Sequence, residues 1–135
     1  MRQYISLFTL LLFFCQCATS GKHTEIYCRG DINTDPMINH FEPCSYCNFK
    51  AVVLNGGFEI NISDSAYKVT AFKIFISDNS GTFFRKTILG NRVTKKNVKM
   101  ISKLKAGDVI SIECINVFGK GERSMATGMT IGVDK

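Results

Sequence analysis

The sequence predicts an all-β fold: an antiparallel β-sandwich with one short helix, stapled by disulfides. Three observations carry this. About seven apolar segments of strand length recur at eight-to-twelve-residue intervals, several with period-two alternation. One stretch alone, Thr94 to Leu104, repeats at a helical spacing. Four cysteines follow an apolar leader, an even number in a chain expected to be exported.

The leader is residues 1–20. Arg2 gives a short positive start, and Ile5 to Phe14 is an apolar run too short to span a bilayer but of the length of a signal-peptide core. Ala18-Thr19-Ser20 sets small residues for cleavage before Gly21. The alternative is a lipid anchor on Cys15 or Cys17, disfavoured because Phe14 and Gln16 stand where a lipoprotein signal carries a small residue. Residues 21–135 then form a single β-sandwich domain, of which 21–48 is a loop-rich segment containing cysteines. No later apolar run reaches the length of a membrane span. The expected location is the periplasm or the cell exterior.

Cys28, Cys44, Cys47 and Cys114 are expected in two disulfides, with three pairings open. Zinc at Cys44-Ser45-Tyr46-Cys47 lacks a second ligand pair at matching spacing. Redox catalysis by the same motif is disfavoured because Pro43 and Asn48 bracket it in loop-like sequence rather than at a helix start.

In chain order, the Asn, Asp and Pro content of residues 21–43 reads as loop. Asp31, Asn33 and Asp35, with Glu42 at the twelfth place, imitate a calcium loop, but Pro36 stands where the sharp turn needs Gly. Phe49 to Leu54 reads as a strand, and Asn55-Gly56 as the turn of a hairpin returning through Phe58 to Ile62. Asn61-Ile62-Ser63 is a glycosylation acceptor in a eukaryotic host alone. Tyr67 to Ile76 is the clearest strand, apolar on both faces at its far end and therefore central. Asp78 to Gly81 turns the chain into a strand from Thr82 to Ile88. Thr94 is placed as an N-cap, with Val93 and Val98 as a hydrophobic staple. Val98, Ile101 and Leu104 form one helical face, and Gly107 is the stop. From Asp108 the period becomes two, with Ile110, Ile112 and Cys114 on one side. A turn at Gly119 to Glu122 leads to a last strand from Ala126 to Val133.

Without Arg2 the chain holds 16 of its 17 Lys and Arg against 11 Asp and Glu, a formal +5. Eight of those cations lie between Arg85 and Lys105, and no acid stands between Asn79 and Gly107. Lys95, Lys96, Lys99, Lys103 and Lys105 are the candidate partner-binding face, suited to an acidic partner. The competing reading is a solvated helix face. Nucleic acid is disfavoured, because no aromatic residues are interleaved for base stacking. His23 and His40 are the only histidines, and no nucleophile motif, metal motif or phosphate loop occurs. No catalytic role can be assigned, and no cofactor or metal is expected.

Tyr67 to Phe72, Gly90 to Thr94, the lysine-rich helix, Lys105-Ala106-Gly107-Asp108 and the strand running into Ile115-Asn116-Val117-Phe118-Gly119 resemble the C-terminal domain of the GldM-type gliding-motility and type IX secretion proteins of Bacteroidetes. The resemblance spans about Tyr67 to Val133. It implies an immunoglobulin-like, non-catalytic domain that docks on an envelope or secreted partner protein. The membrane helix of the family is not seen here, and the segment with Cys28, Cys44 and Cys47 lies outside the pattern. A secreted ligand- or carbohydrate-binding module is the alternative.

Overall fold

The computed structural model describes Ile32, residues 35–39, Phe41 and residues 44–135. The expected leader, Cys15, Cys17, Cys28, both histidines, Asp31 and Glu42 lie outside the described residues. The strands are β1 (Pro36–Ile38), β2 (Tyr46–Lys50), β3 (Phe58–Ile62), β4 (Tyr67–Asp78), β5 (Gly81–Leu89), β6 (Arg92–Val93), β7 (Val109–Gly119), β8 (Glu122–Ala126) and β9 (Met129–Asp134). A single helical turn, α1 (Ala51–Leu54), and a 3₁₀ segment, Lys99–Lys103, complete the regular structure.

Two sheets result. The larger has the order β2-β9-β7-β4-β5, with β8 paired to the far half of β7. The smaller has the order β1-β3-β6. All pairings are antiparallel except β2 with β9, which run parallel from Tyr46↔Thr130 to Lys50↔Asp134. The larger sheet is therefore mixed, a correction to the fully antiparallel expectation. One apolar cluster joins both sheets. Ile38, Phe58, Ile60, Ile62 and Val93 come from the smaller; Phe72, Ile74, Ile76, Ile110, Ile112 and Ile131 come from the larger. The alternation read in β3, β4 and β9 is what drives this, because period two places every second side chain on the buried face.

The Asn55-Gly56 hairpin does not form, and Phe49 to Leu54 is not one strand. β2 and β3 lie in different sheets, and α1 stands between them, closed by Asn55 N–H donating to Ala51 O at 2.8 Å. A helical turn puts positions three apart on one side. Leu54 is thereby buried and Ala51 half-buried, while Val52 is 76% exposed. An extended Ala51–Leu54 would instead bury alternate residues. Gly57, at φ +99°, rather than Gly56 turns the chain. Nor is the segment before Cys44 all loop: β1 pairs with β3 at Pro36↔Ile62 and Ile38↔Ile60, and Ile38 is buried.

Thr94 to Leu104 is also not an α-helix. Thr94 Oγ1 accepts from Asn97 N–H at 3.3 Å and Asn97 Oδ1 accepts from Thr94 N–H at 2.8 Å, the reciprocal pattern of a capping box. Only one turn follows, because Val98 leaves helical geometry at φ −134°, ψ 89°. Beyond it Val98, Ile101 and Leu104 are all buried. Their spacing is three, which is the period of a 3₁₀ turn, whereas an α-helix at 3.6 would rotate them off a common line. Gly107, at φ +93°, belongs to the next turn. There Asp108 N–H donates to Lys105 O at 3.1 Å, and Asp108 Oδ2 accepts from Lys105 N–H at 2.9 Å.

β7 keeps its alternation only as far as Glu113. Lys73 pairs with Glu113 but Ala71 with Asn116, so one extra residue of β7 is accommodated opposite Phe72. Cys114 takes φ +50° there, and the buried set moves to Ile115 and Val117. Cys114 therefore does not continue the face of Ile110 and Ile112. β4 has its own extra residue at Thr70, between Val69↔Val117 and Ala71↔Asn116. The two bulges are laced together: Asn116 Nδ2 donates to Cys114 O at 2.7 Å, and Thr70 Oγ1 donates to Asn116 O at 3.2 Å. The expected turn at Gly119 to Glu122 is present, with Lys120 and Gly121 both at positive φ as a type I′ hairpin requires. The last expected strand, Ala126 to Val133, begins later, as β9, and a strand that was not expected, β8, precedes it.

Candidate docking surface

Lys95, Lys96, Lys99, Lys103 and Lys105 are all exposed, and they lie along one connection, from the capped turn after β6 through the 3₁₀ segment to the turn before β7. The buried anchors Val98, Ile101 and Leu104 fix that connection to the core, which turns the intervening lysines outward. Among the described residues none of the five forms an ion pair within 4 Å. Arg92, in contrast, is neutralised by Glu59, its Nε donating to Glu59 Oε1 at 2.8 Å.

β5 extends this charge. Lys86 Nζ donates to Asn97 O at 2.6 Å, tying the strand to the capped turn. Arg85 faces the other side of the sheet, where Lys73, Phe75, Arg85, Lys86 and Thr87 line a depression of about 360 Å³. The run of cations was legible from the sequence. The depression was not, because it needs the register Lys73↔Thr87 and Phe75↔Arg85. A lysine in an otherwise apolar half of β4 was its one trace.

Lys105 stands at the opposite end of the connection, where it and the turn to Asp108 line a second depression with Asp78, Asn79 and Ser80. Asp78 Oδ1 accepts from both the N–H and the hydroxyl of Ser80. Those bonds, aided by the charge of Lys105, hold its carboxyl below the ordinary carboxylate value. A lowered folded-state pKa contributes stability above the ordinary value and loses it as pH falls through the lowered one. Asp64 behaves likewise, chiefly through the Ala66 N–H. Both residues are half-buried at the surface, where solvent screening keeps such a contribution to acid stability small.

Cys44 and Cys47 are joined, with Cα atoms 6.0 Å apart. Cys114 is disulfide-bonded as well. The Cys-x-x-Cys pair leads into and sits on β2, with both cysteines half-buried against the core and not at a helix N-terminus. Replacing both with serine is expected to lower unfolding free energy by about 2 kcal/mol from loop-closure entropy, read by urea denaturation. Mass spectrometry of the untreated protein should find no free thiol at Cys44, Cys47 or Cys114.

Among the described residues no group of three His, Cys, Asp or Glu could hold a metal ion. The amide nitrogen of Asn61, within the glycosylation sequence, is buried in β3 and closed to a glycan in the folded protein. No helix among the described residues is long and apolar enough to cross a membrane. No family model, curated protein or solved structure matches the chain.

Proposed function

We propose that this chain is an exported, non-catalytic protein-interaction domain that docks on an acidic envelope or secreted partner through its basic flank. The observation that carries this is the alignment of five exposed lysines, none of them in an ion pair within 4 Å among the described residues, along a connection pinned by Val98, Ile101 and Leu104. Electrostatic complementarity of this kind raises the rate of encounter with an acidic partner more than the final affinity.

The fold supports an immunoglobulin-like reading. A sheet of β1, β3 and β6 faces one of β9, β7, β4 and β5, and β2 crosses to run parallel with the last strand. That division matches two sheets joined by Greek-key connections. It also agrees with the resemblance of Tyr67 to Val133 to the GldM C-terminal domain, which remains a family proposal. In that reading the chain reuses the domain without a motor role.

The test is crosslinking in cells followed by mass spectrometry, with wild type and a Lys95→Glu, Lys99→Glu, Lys103→Glu variant. Recovery of one envelope or secreted protein is expected. The variant should lose most of it while its melting temperature stays within a few degrees of wild type, since these side chains are solvated. Equal recovery by both forms would refute the role of the lysines. The second reading, a carbohydrate-binding module, is favoured by Phe75 lying in the depression between Lys73 and Arg85. Saturable binding on a glycan array, lost in Phe75→Ala, is its expected signature.

A further inference from the structure

We infer that the free edge of β5 is a strand-addition site for an extended acidic segment of a partner protein. This rests on the docking reading above and names how the partner is held. β5 ends the larger sheet, and among the described residues no strand pairs with the side facing away from β4. In an antiparallel pair alternate residues direct both N–H and C=O outward, so this edge offers a row of unsatisfied backbone groups. Phe83 is the extra residue between Ile76↔Phe84 and Ser77↔Thr82, a bulge that disrupts the start of the strand. From Phe84 to Leu89 the ladder is regular, one partner per residue. That leaves six residues, roughly 20 Å of edge at 3.3–3.4 Å per residue.

Edges of this kind invite two occupants, a second copy of the chain or a foreign strand. Charge decides between them. Arg85 projects on the outer face and Lys86 on the inner, both exposed. Self-pairing over the six residues would crowd four cations along one junction with no acid there, and like charges across neighbouring strands are destabilising. The same two cations attract an acidic strand. No acid occurs in the chain from Ser80 to Gly107 to compete for it. The rest of the edge sets the remaining positions: Leu89 is 64% exposed, Phe84 half-buried and Thr87 exposed.

The register can be written out. A strand added antiparallel places adjacent acidic residues opposite Lys86 and Arg85, a polar residue opposite Thr87, and apolar residues opposite Phe84 and Leu89. The recognised chemistry is thus an extended segment with a Glu-Glu or Asp-Asp pair followed by an apolar residue, and a second apolar residue three positions before the pair. Main-chain bonds supply the affinity and the paired charges the selectivity, as in other strand-addition modes.

The experiment is a backbone amide NMR titration of the oxidised full-length domain with the capped peptide Ile-Thr-Thr-Glu-Glu-Val. Shifts and slowed hydrogen exchange are expected within Phe84–Leu89, weakening as salt rises. The Arg85→Glu, Lys86→Glu variant should bind about tenfold more weakly or less, and Lys-Lys in place of Glu-Glu should restore binding to it. N-methylation of alternate amides on the pairing edge of the peptide should abolish binding to the wild-type protein. An N-methylated peptide that binds equally well, shifts confined to residues 95–105, or no shifts at all would each overturn the edge site. Shifts confined to 95–105 would leave the docking function standing. Loss of that function is read separately, as failure of the cellular crosslinking to recover any partner.

Discussion

Replacing Phe72 with alanine is expected to lower the free energy of unfolding by about 3–5 kcal/mol, a large share of the roughly 5–15 kcal/mol typical of a domain. Phe72 is fully buried at the centre of β4, opposite Ile88 on one side and the Cys114 bulge on the other. Neighbouring strands flank it on both sides, so the cavity left by truncation has little freedom to collapse. The comparison is Phe118→Ala, a ring that is 49% exposed, where a change within about 0.5–1 kcal/mol is expected. Urea denaturation of both variants at constant m-value decides the matter. Equal losses would place Phe72 outside the core and overturn the pairing of β4 with β7 as described.

Gly57→Ala is expected to be nearly as damaging, and Gly56→Ala almost silent. A Cβ on Gly57 would stand 2.5 Å from the carbonyl oxygen of Val93, at a φ of +99°. Overpacking against backbone costs about 1–3 kcal/mol, and the left-handed conformation adds about 1–2 kcal/mol. Gly56 has open space where its Cβ would point and no positive φ. A two-residue Asn55-Gly56 hairpin would require left-handed geometry at Gly56 and reverse that order. Thermal unfolding of the two single variants thus separates the helical turn α1 from the hairpin. The close approach also has a structural reason, since Phe58 pairs with Val93 and brings β6 alongside the start of β3.

Period-two strands were legible because their pattern is local. β4 reads correctly to within two residues, and β5 and most of β7 follow. What failed needed information from elsewhere in the chain. Val52 and Val53 have strong β character, yet the single buried site available is taken by Leu54, and tertiary packing overrides propensity over four residues. Pro36–Ile38 is too short to show a period, and it becomes a strand only because β3 offers an edge. The bulge at Cys114 is invisible in the alternation of Ile110 and Ile112, since one inserted residue shifts the phase beyond it. The same division holds for the candidate surface. The lysines announce themselves as a run without acids, whereas the free edge of β5 depends on where the sheet ends.

The parallel pairing of β2 with β9 has a kinetic consequence. Tyr46 meets Thr130 and Lys50 meets Asp134, so β2, at one edge of the larger sheet, waits for a strand that lies far along the sequence. Contacts this distant carry a large loop-closure cost and slow folding into the millisecond-to-second range typical of β topologies. β4 and β5 are adjacent in the chain and pair early, whereas β2 and the Cys44–Cys47 pair stay undocked until β9 is in place. Formation of the β2–β9 seam is therefore a late folding event, and its amides should be the last to gain protection in a pulse-labelled refolding experiment.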